Sequence, residues 1–329
     1  MDRPGALDRL RAAVAGFHAA HLPAADRWCV ALSGGPDSLA LTAAAAGLRP
    51  TTALIVDHGL QDGSAQVAET ARSQALELGC ADARVLRVRV GGPGGPEAAA
   101  RTARYAALRD ARAGAPVLLG HTLDDQAETV LLGLGRGSGP RSIAGMRRYT
   151  PPWCRPLLGL RRELTAAACI ELGLAPWHDP HNSDRRFTRV RVRREVLPLL
   201  EEVLGGGVAQ ALARTAAAVG EDTDYLDELA ATHLPDAGAA QPLDPTVLGA
   251  LPAPLRRRVL RAWLLAGGAT GLTDEQIRRV DALVTAWRGQ GGVAVPAALA
   301  RQRLVAARAD GQLVLRTEPV AAPPPDLGR

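Results

Sequence analysis

The sequence predicts an α/β protein: a doubly wound, mainly parallel sheet, followed by a smaller, mainly helical domain. Three observations carry that reading. Short apolar runs of strand length at residues 28–32, 52–56 and 116–120, and a run at 84–90 in which apolar residues alternate with arginine, are separated by helix-length amphipathic stretches, the order of βαβ units. The first run passes into an alanine-rich helix through Ser33-Gly34-Gly35-Pro36-Asp37-Ser38, a strand-to-helix turn. At Gly205-Gly206-Gly207 the composition changes, and helical patterns then dominate to residue 287. The expected division is a catalytic domain over 1–204, a second domain over 205–318 and a disordered tail over 319–329.

At 329 residues the chain is long enough for two separate cores, and 47% hydrophobic content argues for a globular protein. Aromatic residues make up only 3%, so base stacking on an aromatic platform is not the expected way of holding nucleic acid. No apolar run reaches membrane-spanning length, and the first ten residues lack a signal pattern; the expectation is a cytoplasmic protein with no membrane partner. Cys29, Cys80, Cys154 and Cys169 are far apart and form no CxxC pair, against a metal site or disulfide framework. All 39 basic residues are arginine; there is no lysine. From Arg136 to Arg194, 13 arginines face Glu163, Glu171, Asp179 and Asp184, a net of +9, leaving −4 on the rest of a chain of net +5. A concentrated basic patch suits a polyanion partner; the plainer reading is a solvated arginine-rich face.

In chain order, residues up to 25 read as one amphipathic helix, with Leu7, Leu10, Val14 and Phe17 at helical spacing. The turn at 33–38 puts backbone N–H groups and a helix dipole at one point, a place for phosphate or pyrophosphate. Gly34 and Gly35 let the main chain approach an anion, and Ser33 and Ser38 add hydroxyls. It is not a Walker A loop, which needs Gly-Lys-Ser/Thr. The second strand delivers Asp57 and His58 at its carboxyl end, where open parallel sheets bind ligands; for Asp57 a helix cap is an equal alternative. A helix over 65–79 and the third strand follow. Residues 91–96 are a loop, and the helix over 97–112 puts Arg101, Arg104 and Tyr105 on one face, Arg101 having either a phosphate or Glu97 as partner.

The fourth strand leads to His121 and a helix opening with Asp124, Asp125 and Glu128. Asp124 and Glu128, one turn apart, point the same way. Such carboxylates can hold Mg²⁺, with Asp37 and Asp124 as the candidate ligands, or grip an amino-acid ammonium; the plainer reading is dipole compensation in a first helical turn. Arg136-Gly137-Ser138-Gly139 ends this helix. A fifth strand is expected at 155–158 with Arg155 facing the site, then a helix over 163–173. The arginine run through Arg189, Arg191 and Arg193 suggests RNA phosphates; its Arg/Val alternation also suits an edge strand. Beyond it come a long helix to about residue 234, a Pro-rich linker, helices over 254–265 and 273–287, and a hairpin signal at Asp310-Gly311.

SGGPDS resembles the pyrophosphate loop of the N-type ATP pyrophosphatases, the PP-loop superfamily. The downstream segments, VDHGL at 56–60, EAAAR…RY at 97–105, GHTLDDQAET at 120–129, RGSG at 136–139, RPLL at 155–158 and DPHNSDRRFTRVRVRR at 179–194, resemble one family within it, the tRNA(Ile)-lysidine synthetases. The resemblance spans residues 26–198 and departs at Gln61, His181 and Val190, where the family has arginine, serine or threonine, and asparagine. It implies a ligase using ATP and Mg²⁺. The wobble cytidine of a tRNA(Ile) with a CAU anticodon is adenylylated at its C2 oxygen; the amine of free L-lysine then displaces AMP, changing codon specificity from AUG to AUA. It also implies a short form without the last domain of larger members. Implied for ATP and pyrophosphate are Ser33, Gly34, Gly35, Pro36, Asp37, Ser38, Asp57, His58 and His121. Implied for catalysis are Asp37, Arg101, Asp124, Asp125 and Glu128, and for tRNA Arg136, Ser138, Arg155, Arg189, Arg191 and Arg193. A homodimer is one option for the oligomeric state. The alternatives are another PP-loop tRNA-modifying enzyme, such as a thiolase, an amidating ligase of the GMP or asparagine synthetase kind, or a catalytically degenerate RNA-binding protein.

Overall fold

The computed structural model describes residues 4–59, 61, 63–91, 95–137, 139–179, 183–234, 241–299 and 301–319. In chain order the first elements are α1 (Ala6–His21), β1 (Trp28–Leu32), α2 (Pro36–Ala46), β2 (Thr51–Asp57), α3 (Ser64–Glu77) and β3 (Asp82–Arg87). Next come α4 (Pro96–Ala111), β4 (Val117–Leu118), α5 (Leu123–Gly135), α6 (Pro140–Ile143), β5 (Tyr149–Thr150), β6 (Trp153–Cys154) and α7 (Arg162–Glu171). Then α8 (Thr188–Arg191) passes through a π-helical turn (Val192–Val196) into α9 (Leu197–Val203), followed by α10 (Val208–Ala231), α11 (Pro245–Ala250), α12 (Ala253–Ala266) and α13 (Asp274–Thr285). The chain closes on β7 (Val293–Val295), β8 (Gln302–Ala309) and β9 (Gln312–Pro319). It forms two compact units, one of residues 1–136 and 143–217, the other of 137–142 and 218–329. The expected tail beyond Pro319, like Ser138, His181 and Asn182, lies outside the described residues.

In the first unit six strands run in the order β3-β2-β1-β4-β6-β5, all parallel except β5, which pairs antiparallel with β6. Because strand side chains alternate, β1 feeds two cores. Trp28, Val30 and Leu32 pack with residues of α1, α2, α3 and α7, whereas Cys29 and Ala31 pack with Leu108 of α4 and with Trp153. Helices thus cover both faces, the doubly wound arrangement expected from the sequence. The strand order reverses between β1 and β4, and the carboxyl ends of those strands open the crevice in which ligands of such sheets bind.

The fifth strand differs from expectation. Sheet pairing occupies Trp153–Cys154, with a hairpin back to Tyr149–Thr150, and Arg155 follows the strand. Pro156 has no N–H to continue a ladder, so the pairing stops before it. The Arg/Val run is helical, not an edge strand. Val190 and Val192 are buried, and Val192 packs with Leu123, Ala127 and Leu197.

The second unit combines α11, α12 and α13 with an antiparallel sheet, β7-β8-β9, around a core holding Trp263, Leu260, Val280 and Leu313. Asp310 and Gly311 have φ of 49° and 78° between strands paired Ala309 to Gln312, the two-residue turn the sequence signalled. Strand β7 was not anticipated; it adds a third strand to the hairpin expected in this mainly helical unit. Its buried ion pair joins Arg256 Nε to Asp281 at 2.5 Å, with Arg257 at 3.0 Å. Among the described residues no single helix is long and apolar enough to cross a membrane.

Candidate active site

The turn after β1 is fixed by its own hydroxyls. Ser33 N–H donates to Ser38 Oγ at 3.2 Å, the Ser38 hydroxyl donates to the Gly35 carbonyl at 2.9 Å, and the two hydroxyl oxygens lie 3.1 Å apart. Gly34 takes φ 80°, and its carbonyl accepts from Trp177 N–H at 2.9 Å. Gly35 caps α2 without a side-chain hydrogen bond, and Pro36 opens the helix. The first turn of α2 therefore has no side-chain cap at its N–H groups. A β-carbon on Gly120, just past β4, would stand 3.1 Å from the Asp37 carbonyl carbon and oxygen, so any larger residue requires the loop to give by a few tenths of an ångström.

A cavity of about 300 Å³ opens beside this loop. Leu32, Leu54, Ile55, Val56, Val67 and Trp177 give it apolar walls, and Ser33, Asp57, His58, Arg104 and Asp179 give it a polar edge. Asp57 accepts the Gly59 N–H at 3.0 Å. Gln61, standing where the family has arginine, donates to Asp179 at 3.2 Å. Burial lowers the His58 imidazole below its usual range, with Arg104 next in effect.

The carboxylates gather on the other side of the crevice. Thr122 and Asp125 form a capping box on α5: Asp125 Oδ2 accepts from Thr122 N–H at 2.8 Å and from its hydroxyl at 2.9 Å. Asp125 is thus the cap the plain reading allows, yet its Oδ1 is turned to a guanidinium, Arg162 Nη2 at 2.6 Å. Glu128 is fully buried and takes Arg193 Nε at 2.6 Å, Arg162 Nη1 at 3.4 Å and Arg189 Nε at 3.4 Å. Asp37, from the turn, accepts Arg162 Nε at 3.2 Å and the Thr165 hydroxyl. Asp124 turns elsewhere, accepting the Arg162 backbone N–H at 2.7 Å and pairing with Arg161 at 3.1 Å. The pair that converges is therefore Asp125 and Glu128, three apart, instead of Asp124 and Glu128.

Arg162 was not singled out in the sequence. In RRELTAAA it looks like the exposed start of a helix, and only the meeting of α2, α5 and α7 reveals its three carboxylate partners. Its guanidinium is held charged by those acids against the cost of burial. Burial raises the Asp37 carboxyl above its ordinary range despite Arg162, whereas Arg162 and the Thr122 hydrogen bonds hold Asp125 below its range against the opposing effect of burial. His121 is pushed down to about 3, chiefly by burial, and stays neutral at physiological pH.

The remaining candidates divide by exposure. Arg101 stacks on Tyr105, 4.9 Å from the ring centroid. Arg155 is buried and donates to the Arg147 carbonyl at 2.9 Å. Arg189 donates to the Thr129 hydroxyl at 2.7 Å, and Arg191 pairs with Glu195 at 3.2 Å on the surface. Arg136 is exposed at the end of α5. All four cysteines are buried free thiols, with Cys80 and Cys169 raised to about 11 and Cys154 to about 12 by burial.

An anion-binding turn and a carboxylate cluster at the carboxyl edge of one parallel sheet define an ATP-using PP-loop enzyme, and residues 10–200 match the PP-loop domain family. Residues 243–314 match the TilS substrate binding domain. The chain is 71% identical to a tRNA(Ile)-lysidine synthase of Mycobacterium tuberculosis over 97% of its own length and 100% of the relative. A tRNA(Ile)-lysidine synthase of Nocardia farcinica is 64% identical over 94% of this chain and 98% of its own. The chain belongs to the tRNA(Ile)-lysidine synthase family. Among solved structures, the U34-tRNA thiolase NcsA from Methanococcus maripaludis shares the fold, with a TM-score of 0.54 and 16% identity over 66% of this chain and 80% of that one.

Proposed function

We propose that this chain ligates L-lysine to C2 of the wobble cytidine of a tRNA(Ile) bearing a CAU anticodon, in the cytoplasm, changing its codon specificity from AUG to AUA. The observation that carries the reading is the meeting of the uncapped turn at Gly35 with Asp37, Asp125 and Glu128 around one crevice. In the first step the C2 oxygen bonds to the α-phosphorus of ATP and pyrophosphate leaves. The N–H groups opening α2 and the hydroxyls of Ser33 and Ser38 stabilise the departing charge. In the second step the lysine ε-amine forms a C–N bond at C2, the C–O bond breaks, and AMP leaves with the oxygen. Asp125 and Glu128 orient the lysine ammonium, and a carboxylate takes the proton the amine must lose.

Asp37, in the first turn of α2 directly after the phosphate turn, is the acid that would hold Mg²⁺ beside the nucleotide phosphates. Asp124 is committed to Arg161 and the backbone of α7. The described residues hold no ready group of three or more ligands, which suits an ion that relies on nucleotide phosphates and one carboxylate. When bound, the ion would neutralise phosphate charge. Thiolation is disfavoured by cysteines that burial keeps as protonated, inaccessible thiols.

Purified protein, ATP, Mg²⁺, labelled lysine and tRNA(Ile) with a CAU anticodon test the proposal, with methionine tRNA of the same anticodon as control. Lysine in the isoleucine tRNA alone, with AMP released, is the expected outcome. Adenylylated tRNA without lysine would reassign the nucleophile, and neither product would reject the reading. Sedimentation of the same sample separates a monomer from a homodimer.

A further inference from the structure

Arg104, on α4, lines the cavity beside Ser33, Asp57 and His58. Among the described residues it makes no hydrogen bond and no ion pair, and burial lowers it from the ordinary guanidinium range. The two carboxylates on the cavity edge are engaged elsewhere, Asp57 with the Gly59 N–H and Asp179 with Gln61. The neighbours Arg104 does have are of its own sign or neutral. Arg101 opposes its charge, and Arg104 itself helps to lower both His58 and His121. His58 Nδ1 and His121 Nδ1 are buried without a hydrogen-bond partner. One guanidinium and two imidazoles from α4, β2 and β4 thus present unmatched polar atoms at the switch point of the sheet. Arg104 is half-buried and lacks an ion pair, so its guanidinium is available to an anion that enters the cavity.

We propose that Arg104 holds a phosphoryl oxyanion of the nucleotide in this cavity, with the neutral ring of His58, which also lines it, as a further hydrogen-bonding group. The apolar walls then take the nucleoside, and Arg104 and Ser33 of the turn after β1 share the lining of the cavity. This rests on the reading of the cavity as the ATP site. A guanidinium suits the task because its planar fork can bond two phosphate oxygens at once.

The test measures binding of ATP and of adenosine to the full chain, without tRNA or lysine, for the wild type, Arg104→Gln and Arg104→Lys. Arg104→Gln is expected to weaken ATP by roughly 10- to 100-fold and leave adenosine unchanged, with part of the loss recovered in Arg104→Lys. Equal weakening of ATP and adenosine would overturn the proposal in favour of a structural role. Unchanged ATP binding with weakened, less salt-dependent tRNA binding would assign the phosphate to RNA and overturn the nucleotide assignment. No change in any ligand would also reject it. Lysine incorporation by the wild type is scored separately. A protein that makes no lysidine but loses ATP selectively in Arg104→Gln rejects the functional reading and keeps this one.

Discussion

Arg162 contacts Asp37 at 3.2 Å, Asp125 at 2.6 Å and Glu128 at 3.4 Å, so one guanidinium sets the spacing of three acids from two helices. Removing it leaves those carboxylates facing one another. Arg162→Gln is expected to cut kcat/KM for lysine by roughly 100-fold and to cost about 3 kcal/mol of stability, while adenosine binding is retained. Steady-state lysine incorporation, denaturant unfolding and dialysis read the three quantities. Arg162→Lys, a point charge without the fork, should recover stability more than activity. His121 gives a pH signature. Its folded value of about 3 lies below the usual 6.5, so between those values the unfolded chain binds a proton that the folded chain refuses. Stability from this group is therefore full above pH 6.5 and falls as the pH drops toward 3. His121→Asn should flatten that part of the unfolding profile, and a profile identical to wild type would show that the ring is not held neutral. Asp37 has the opposite sign. Its raised carboxyl prefers the proton when folded, so its ionisation destabilises the fold as pH rises through its folded value. Asp37→Asn is expected to melt higher than wild type at pH 7 and to lose ligation.

Elements carry the site because three strand ends and two helix starts meet. The contact between the Gly120 backbone and the start of α2 is the tightest of these junctions. A methyl group there meets main chain on the Asp37 side, which yields less than a side chain tip would. Gly120→Ala is therefore expected to lose about 1–2 kcal/mol and to weaken ATP binding, since α2 must shift with the turn that precedes it. Unaltered ATP affinity would separate the turn from this junction. Much of this scale was legible in the sequence for physical reasons. Apolar runs of five residues bounded by turn residues suit buried strands, and Asp310-Gly311 supplies the positive φ values a two-residue hairpin demands. The arginine run was harder to read. A period of two in Arg189, Val190, Arg191, Val192 and Arg193 suits a strand, but a π-helical turn there brings Arg189 and Arg193 onto Glu128. Strand β7 is three residues long and follows two glycines, too little pattern to announce itself. Arg162 was silent, and Arg104 was placed on a helical face without a role, since what distinguishes them is the presence or lack of partners brought from distant segments.

Seven of the thirteen arginines in the basic stretch from Arg136 to Arg194 fall into two contrasting groups. Arg161, Arg162, Arg189 and Arg193 are turned onto Asp37, Asp124, Asp125 and Glu128, and their charge is largely cancelled inside the site. Arg185, Arg186 and Arg191 keep 75%, 84% and 61% of their side chains exposed and hold only surface pairs with Asp184 and Glu195. Surface pairs of this kind contribute about 0–1 kcal/mol, so a phosphate displaces them readily. The overall charge of the stretch thus overstates what an RNA would meet. Each phosphate neutralised adds roughly −0.7 to −0.9 to the slope of log K against log salt. Replacing Arg185, Arg186 and Arg191 together by Gln is expected to make the tRNA-binding slope shallower by about 2 to 3 and to leave ATP binding intact. Arg193→Gln should do the reverse, abolishing most lysine transfer while the salt slope stays at the wild-type value. If Arg193→Gln instead flattens the slope, its pairing with Glu128 gives way to RNA in the complex. The two populations would then be one, and the acidic cluster would be freed for lysine only when tRNA is bound.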